Sequence, residues 1–311
     1  MRKRLVWLLL AAVLLAALVL YTVVFQQTFK SETSVPFTMF KVAEQFSRPA
    51  LVAKWYIPFS SADIDSSVNK LQKDDYSLEI INETLVTALL LAQKGNHTRE
   101  FHLIAAPDSA LPKETIISLA YRNTLFREWF QKDELVKNAR LSISNLKDYM
   151  EDPKRLYGYD IQVTTVADTA FLFTTATVPL SEKRKTIREL FEKLIDYAAK
   201  RGAGYTGVRI MYSQVSNNEI TLYTSIGVSN KIHISSEEPF QYKLMPFGKK
   251  LLEANYQGLF GDVDKVYQAL ETFKTDHNLI TMAIPFQKFM NDGYDFSDSQ
   301  LVQMKVYYPI F

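Results

Sequence analysis

The sequence predicts an α+β protein in three parts: an N-terminal transmembrane helix, a small α+β domain and a duplicated β-α-β-β domain. The helix is predicted by residues 5–25, which carry no charge. Short strand patterns that precede one long helical pattern predict the small domain within 28–152. The order β-α-β-β occurs twice within 159–311 and predicts the duplicated domain.

The composition indicates a globular protein without thiol or metal chemistry. Of the 311 residues, 47% are hydrophobic and 23% are charged, so the chain can bury hydrophobic cores. The net charge of +2 provides no basic surface for nucleic acid, which we do not expect as a partner. Cysteine is absent and the four histidines are scattered. We therefore expect no metal site, no cofactor and no catalytic thiol.

Residues 5–25 have the length of a membrane span, since 21 helical residues extend about 30 Å. Trp7 and Tyr21 lie near the ends of this segment, where aromatic side chains favour the interface. Three basic residues precede it, Arg2 to Arg4. The sequence therefore predicts a single-pass anchor over 1–27, a cytoplasmic N-terminus and an extracytoplasmic (periplasmic) location for 28–311.

Two alternatives to the anchor are a cleaved signal peptide and a buried core helix. The apolar region of a signal peptide is usually about 7–15 residues long and ends in small residues. Here the apolar segment is longer and ends in the bulky sequence Tyr21-Thr-Val-Val-Phe25. A buried core helix is a poor interpretation, because a helix that is apolar all round and preceded by Met-Arg-Lys-Arg has no polar face to show water. An uncleaved anchor is the favoured interpretation.

The patterns within 28–152 predict a small domain of strands between helices. A helix ends at Pro49, and the aromatic residues Trp55, Tyr56 and Phe59 follow it. A long amphipathic helix is predicted over 133–150. The predicted strands are Tyr76–Ile81, Leu85–Leu91, Glu100–Ala105 and Thr115–Tyr121.

The patterns within 159–311 predict two successive β-α-β-β units. The helices are expected over Ser181–Lys200 and Val263–Phe273, each with apolar residues at helical spacing. The segment Ser216-Asn217-Asn218 predicts a hairpin turn. The predicted strands are Ile161–Val166, Ala170–Thr177, Gly207–Gln214, Glu219–Val228, Gln241–Met245, Lys250–Tyr256, Thr281–Met290 and Leu301–Tyr308.

Four segments of this second domain resemble the GyrI-like (DNA-gyrase-inhibitor-like) effector-binding family. They are Ala254–Phe260, the helix Val263–Phe273, Ile284–Asp292 and the ending Val306-Tyr-Tyr-Pro-Ile310. The resemblance covers 159–311 and implies a ligand-binding cleft. Members often carry a Glu followed two residues later by a Tyr, where this chain has Gln287 and Phe289. The missing Glu serves cationic ligands in some members, so this departure puts cation selectivity in doubt.

The first domain resembles the START-like (SRPBCC, polyketide-cyclase-like) helix-grip fold. The resemblance rests on the early helix around Val35–Phe46, the Trp55 region, the strands and the final helix that ends near Met150. It implies a small helix-grip α+β domain over 28–152. The combination of an anchor, a START-like domain and a GyrI-like domain resembles that of bacterial membrane proteins, which implies a bacterial cell membrane as the location.

Alternation along two strands points to a candidate ligand groove. Ile220, Leu222, Thr224, Ile226 and Val228 share the face that would pack under helices. The opposite face carries Glu219, Thr221 and Tyr223, and the last strand places Tyr307 in the same way. A solvated sheet face is the alternative, because antiparallel sheets often have one.

The candidate ligand-binding residues follow from these faces and from the GyrI-like resemblance. Tyr307 is expected to meet Tyr223 across the cleft, and Gln287 and Phe289 are expected to make that part of the pocket neutral. Glu253 is a possible substitute for the missing acid, although a surface carboxylate beside Lys249 and Lys250 is the favoured interpretation. The full set is Glu219, Thr221, Tyr223, Glu253, Tyr256, Gln287, Phe289 and Tyr307.

Three functions are compatible with the sequence. The favoured one is a membrane-anchored, non-catalytic protein that binds a small amphipathic or hydrophobic molecule by shape, stacking and a few hydrogen bonds. A hydrolase that acts in the same cleft is the second, with Glu219 or Glu253 beside Tyr223 or Tyr307. A structural partner of another envelope protein is the third.

Overall fold

The computed structural model describes residues 2–60, 70–130, 133–235, 237–281, 283–291, 293 and 295–310. The side chains of residues 2–6, 8, 9 and 11 are not among those described. The chain divides between Asp152 and Pro153 into two compact units.

The first unit is built on a six-stranded antiparallel sheet, in the order β1-β6-β5-β4-β3-β2. Its elements in chain order are α1 (Arg2–Val24), β1 (Gln26–Val35), α2 (Met39–Ser47), α3 (Pro49–Val52), β2 (Lys70–Lys73), β3 (Tyr76–Asn82), β4 (Thr87–Lys94), β5 (His97–Pro107), β6 (Thr115–Thr124), α4 (Leu125–Phe130) and α5 (Glu134–Glu151).

Local sequence explains how the helices of the first unit begin. The Thr38 side chain accepts a hydrogen bond from Lys41 N at the start of α2, and Asp133 accepts bonds from Leu135 N and Val136 N at the start of α5. Pro49 does not end a helix but opens α3, a position where its missing N–H is not needed. The aromatic residues Trp55, Tyr56 and Phe59 are fully buried.

The predicted transmembrane anchor is wrong. A membrane-spanning helix needs about 20 consecutive apolar residues to cross about 30 Å. Within the described part of the chain, no helix is long and apolar enough to cross a membrane.

This finding also corrects the predictions that depended on the anchor. They are the transmembrane element of the predicted fold class, the membrane as a partner, and the single-pass location with a cytoplasmic N-terminus and an extracytoplasmic 28–311. The side chains of Arg2, Lys3 and Arg4, which carried the predicted orientation, lie outside the described residues.

The second unit is built on an eight-stranded antiparallel sheet, in the order β11-β8-β10-β9-β13-β14-β12-β7. Its elements are α6 (Pro153–Tyr157), β7 (Ile161–Thr165), β8 (Ala170–Pro179), α7 (Lys183–Lys200), β9 (Tyr205–Ser216), β10 (Glu219–Val228), β11 (Gln241–Leu244), β12 (Lys250–Leu259), α8 (Val263–Asp276), β13 (Phe286–Phe289) and β14 (Leu301–Pro309).

The element order of the second unit is the predicted repeat of β-α-β-β. The largest difference is β13, which has four residues where a strand over 281–290 was expected, a range whose residue 282 lies outside the described set. The helices α7 and α8 bury their apolar residues against one face of the sheet, among them Leu194 and Leu270. The other face of the sheet is the one that carries the candidate site.

Candidate functional site

Alternation along the strands separates the two faces of the second sheet. On β10, Ile220, Leu222 and Ile226 belong to the core under the helices, as the sequence predicts. On β12 and β14 the same core takes Leu252, Ala254, Val302, Met304 and Val306. The residues between these, including Glu253 and Tyr307, therefore point to the opposite face, away from the helices.

A cavity of about 190 Å³ lies on this opposite face, and six strands together with the β7–β8 connection contribute to its wall. Polar and apolar atoms contribute about equally to its wall, and four ionisable side chains reach it. Its lining consists of Thr164, Thr165, Val166, Ala167, Asp168, Phe171, Ile210, Met245, Leu251, Glu253, Phe286, Lys288 and Tyr307. Aromatic and apolar side chains beside convergent polar groups also occur in small-molecule sites.

The roof of the cavity is the connection between β7 and β8, residues 166–169. Its backbone hydrogen-bonds to the segment that follows β11: Val166 N donates to Lys249 O at 2.9 Å, and Gly248 N donates to Val166 O at 3.0 Å. Met245 N donates to Thr169 O at 2.8 Å. Main-chain hydrogen bonds thus join the β7–β8 connection to the segment that follows β11.

Glu253 is the most buried ionisable group of the lining, with 4% of its surface exposed. Its Oε1 atom accepts hydrogen bonds from Lys305 Nζ at 2.7 Å and from Gln162 Nε2 at 2.9 Å. Burial acts to raise the pKa of Glu253, but hydrogen bonds from Lys305, Gln162 and Tyr307 outweigh it and leave the pKa below its usual value. The interpretation of Glu253 as a surface carboxylate is therefore wrong.

Tyr307 links this carboxylate to the aromatic wall. It lies directly opposite Glu253 in the β12–β14 ladder, and burial together with the hydrogen bond to Glu253 raises the pKa of its hydroxyl well above the usual value. The Tyr307 ring stacks on Phe286, with centroids 5.0 Å apart. One side of the cavity therefore combines the hydrogen-bonded carboxylate and hydroxyl with a pair of stacked rings.

A second ion pair connects the cavity wall to its roof. Lys288 Nζ on β13 donates to Asp168 Oδ2 at 2.6 Å. Both side chains are partly exposed, at 27% and 43%, so the pair is accessible to water and contributes little to stability. The pair joins β13 to the β7–β8 connection.

An aromatic band lies outside the cavity lining, on β8, β9 and β10. Tyr223 stacks with Phe173 at 6.4 Å and lies 5.9 Å from the ring of Tyr212. The ammonium of Lys243 lies 3.3 Å from the centre of the Phe173 ring, a cation–π contact, and burial lowers the pKa of this lysine. Tyr212 also lies 6.1 Å from the ring of Tyr267 on α8, so the band is not confined to the face of the cavity.

The structure brings two of the predicted ligand-binding residues together in the cavity lining, Glu253 and Tyr307. Glu219, Thr221 and Tyr223 lie on the same strand, β10, and are not part of that lining. The described ring contacts of Tyr223 are with Phe173 and Tyr212, whereas the described ring contact of Tyr307 is with Phe286. Thr221 instead exchanges a hydroxyl hydrogen bond with Thr177 at 2.9 Å.

The other three predicted residues lie on the face covered by the helices. Tyr256 belongs to that core, and its hydroxyl donates to Leu259 O at 2.6 Å. Phe289 also belongs to it and contacts the ring of Phe191 at 6.0 Å. Gln287 is 2% exposed, and its strand neighbours Met211 and Val306 are core residues.

Gln287 has an unsatisfied acceptor. Its Oε1 atom is buried and has no hydrogen-bond partner among the described residues. A buried polar atom of this kind destabilises a core. The residues of β13 that do face the cavity are its neighbours Phe286 and Lys288.

Several lining residues were missing from the prediction: Asp168, Phe171, Met245, Phe286 and Lys288. Asp168 and Met245 lie in connections whose sequences show no periodicity, so their place depends on contacts far along the chain. Phe286 and Lys288 alternate with the predicted Gln287 and Phe289. If alternation along β13 is matched to the face that carries Tyr307, it predicts Phe286 and Lys288 as lining residues.

Compared by sequence, the chain matches no family model and no curated protein. Compared by structure, it is similar to the C-terminal domain of EcmrR, at 13% identity over 49% of this chain and 98% of that one, with a TM-score of 0.40. SAV2435 bound to tetraphenylphosphonium matches at 12% identity over 49% of this chain and 93% of that one, with a TM-score of 0.30.

DynU16, a protein of the dynemicin biosynthetic locus, matches over more of the chain. The match covers 91% of this chain and 86% of DynU16, at 11% identity and a TM-score of 0.31. All three similarities are weak. Similarities of this strength assign no role to any residue of this chain.

Proposed function

We propose that the second unit binds a small amphipathic molecule in the cavity beneath residues 166–169 and does so without catalysis. The observation that supports this proposal is the combination of a stacked ring pair, Phe286 and Tyr307, with the buried carboxylate of Glu253 in one cavity. Stacking would hold the apolar part of the ligand, and the hydroxyl and carboxylate would orient its polar end.

The cavity volume limits the size of the ligand. An apolar cavity of about 150 Å³ is large enough to bind benzene. A cavity of about 190 Å³ therefore suits a molecule of one or two rings. A long acyl chain would extend past the lining, onto the aromatic band formed by Phe173, Tyr212 and Tyr223.

The charges in the lining favour a neutral ligand. Lys305 already neutralises Glu253, and Lys288 already neutralises Asp168. A cationic ligand would have to displace one of these lysines and leave it without its partner, which costs free energy. A neutral molecule with one hydrogen-bonding group would enter without disturbing either pair.

The test is a ligand screen on the purified protein. Indole, phenol and neutral aromatic amides would be compared with aromatic cations and with fatty acids by thermal shift and calorimetry. A ligand at 100 times its Kd stabilises the folded state by about 2.7 kcal/mol, which raises the melting temperature by several degrees. We expect the neutral aromatic compounds to give this shift.

Two alanine variants would localise the binding. Phe286→Ala removes one wall of the cavity and is expected to abolish the shift. Phe247→Ala removes a ring that is 79% exposed and outside the lining, so it serves as the matched control. A panel that shifts nothing, or equal loss of binding in both variants, would overturn the proposal.

A hydrolase is the second candidate, supported by the hydrogen bond between Tyr307 and the Glu253 carboxylate within a cavity. The low pKa of Glu253 makes it a weak general base near neutral pH, which favours binding over hydrolysis. Glu253→Gln separates the two functions. It would abolish turnover of any ester or amide that the protein cleaves, whereas a binding protein has no turnover to lose.

A further inference from the structure

The strand β1 is an open sheet edge. It lies at the end of the six-stranded sheet and pairs along its full length with β6 alone. Among the described residues, none outside β6 hydrogen-bonds to the backbone of residues 27–34. One side of β1 therefore presents free N–H and C=O groups, which are a template for another strand.

The other sheet edges of the molecule are much shorter. The strands at those edges are β2 with four residues, β11 with four and β7 with five, whereas β1 has ten. Short edge strands and prolines are common devices against edge-to-edge association. The sequence of β1, QQTFKSETSV, contains no proline and no glycine. Its length is what distinguishes it from the other three edges.

The charges on β1 are self-complementary. Even-numbered residues of the strand are exposed up to Glu32, and they include Lys30 and Glu32. Neither residue has an ion pair within the described part of the chain, and Glu32 accepts only a hydrogen bond from Ser118 Oγ at 2.8 Å. If two copies of β1 align antiparallel about Ser31, each Lys30 lies directly opposite a Glu32.

We propose that two copies of this chain associate through β1, edge to edge and antiparallel, with a twofold axis at Ser31 and Lys30 of each copy opposite Glu32 of the partner subunit. The two six-stranded sheets then form one continuous sheet. The same alignment places Thr28 opposite Ser34 and Phe29 opposite Thr33. Such an isologous contact closes as a dimer and cannot propagate into a filament.

The first test is a charge exchange in the full-length protein. Its association constant would be measured by analytical ultracentrifugation in a mild non-ionic detergent, because α1 exposes apolar side chains such as Leu14. Lys30→Glu and Glu32→Lys each create two like-charge pairs and are expected to weaken the dimer about tenfold or more. The double variant restores both opposite-charge pairs and should restore the dimer. Glu100→Lys, an exposed reversal on the central strand β5, is the control and should change nothing.

The second test does not depend on charge. Since the chain contains no cysteine, a single introduced thiol reports on one contact only. Ser31→Cys lies on the proposed axis, within disulfide distance of its copy, and should cross-link rapidly under mild oxidation. Thr33→Cys lies two residues from the axis, about 14 Å from its copy, and should not cross-link.

The outcomes are distinct. Two results together support the β1 dimer. The double variant recovers dimerisation, and cross-linking occurs at position 31 but not at position 33. A monomer at 100 µM protein overturns it. A dimer that ignores both charge reversals and cross-links equally at positions 31 and 33 also overturns it, and indicates association through another surface such as α1. Far-UV circular dichroism of each variant confirms that the fold is retained.

Discussion

Glu253 and Tyr307 are direct cross-strand partners on β12 and β14, and the tyrosine hydroxyl donates a hydrogen bond to the carboxylate. Both residues are almost fully buried, with 4% and 8% of their surfaces exposed. A charged group so placed depends on its partners. Its ionisation therefore provides a direct probe of the second unit.

The first prediction concerns the acid stability of the second unit. The pKa of Glu253 is lower in the folded state than its ordinary value of 4.5, so ionised Glu253 stabilises the fold above that value. This contribution is lost as the pH falls through the lowered, folded-state pKa. Glu253→Gln should cost roughly 1–3 kcal/mol at pH 7 and should flatten the loss of stability below pH 5.

Urea unfolding followed by far-UV circular dichroism between pH 7 and pH 3 measures this effect. All three tryptophans, Trp7, Trp55 and Trp129, lie in the first unit, so their fluorescence serves as an internal control that should not change. Glu219→Gln, at an exposed position on β10, is the control substitution. Equal effects of both substitutions would show that Glu253 is not specially stabilised.

The second prediction concerns Gln287. Because its Oε1 atom is buried without a partner, Gln287→Leu should stabilise the second unit by roughly 1 kcal/mol. Since its side chain faces the helices, the same substitution should leave ligand affinity unchanged. Denaturation and ligand titration of one variant check both statements. A loss of affinity would return Gln287 to the binding site.

The third prediction concerns the aromatic core of the first unit. The hydroxyls of Tyr56 and Tyr76 lie 3.0 Å apart, and burial raises the pKa of both. Tyr56→Phe leaves the other hydroxyl without this partner and should cost about 1 kcal/mol, as should Tyr76→Phe.

The double variant tests the coupling between these two hydroxyls. It removes both polar groups together, so its cost should be clearly less than the sum of the two single costs. Tryptophan fluorescence during urea unfolding measures all three variants. Simple additivity would mean that the two hydroxyls do not stabilise each other.

The fourth prediction concerns the start of α5. One Asp133 oxygen accepts bonds from Leu135 N and Val136 N, and the other accepts from Arg99 Nε at 2.7 Å and His97 Nε2 at 3.2 Å. Asp133→Ala removes all of these and should cost roughly 2–3 kcal/mol, whereas Asp133→Asn keeps the helix cap and should cost about 1 kcal/mol.

The pH dependence of this site has the same sign as that of Glu253. Burial acts to raise the pKa of Asp133, but the hydrogen bonds from His97, Arg99 and Val136 leave it lowered. Its stabilisation is therefore complete above the ordinary pKa of 3.8 and is lost as the pH falls through the folded-state value. Fluorescence-detected unfolding of the wild type and Asp133→Asn should converge at low pH.

Local patterns in the sequence were sufficient to predict most of the second unit. One face of strand β10 lies under α7, and the predicted core residues Ile220, Leu222 and Ile226 are buried there; Ser225 and Gly227 of the other face are buried as well. The helices were predicted within a few residues for the same reason. What these elements share is a burial pattern set by a single packed face.

The cavity was less predictable, because its parts come from distant segments. Nothing near Glu253 in the sequence shows that its partner is Lys305, 52 residues away. On β13, a displacement of one residue exchanges the two faces, and the family resemblance selected Gln287 and Phe289 instead of Phe286 and Lys288. The apolar run of α1 resembled a membrane span in sequence, an interpretation that the described structure does not support.

The main-chain bonds that hold residues 166–169 over the cavity have a consequence for how this protein can change. Backbone hydrogen bonds do not depend on side-chain identity, so Ala167, Asp168 and Met245 can be substituted while the cover stays in place. These main-chain contacts are therefore independent of the side chains that line the cavity. A library of variants at these three positions would be a direct route to new specificities on an unchanged scaffold.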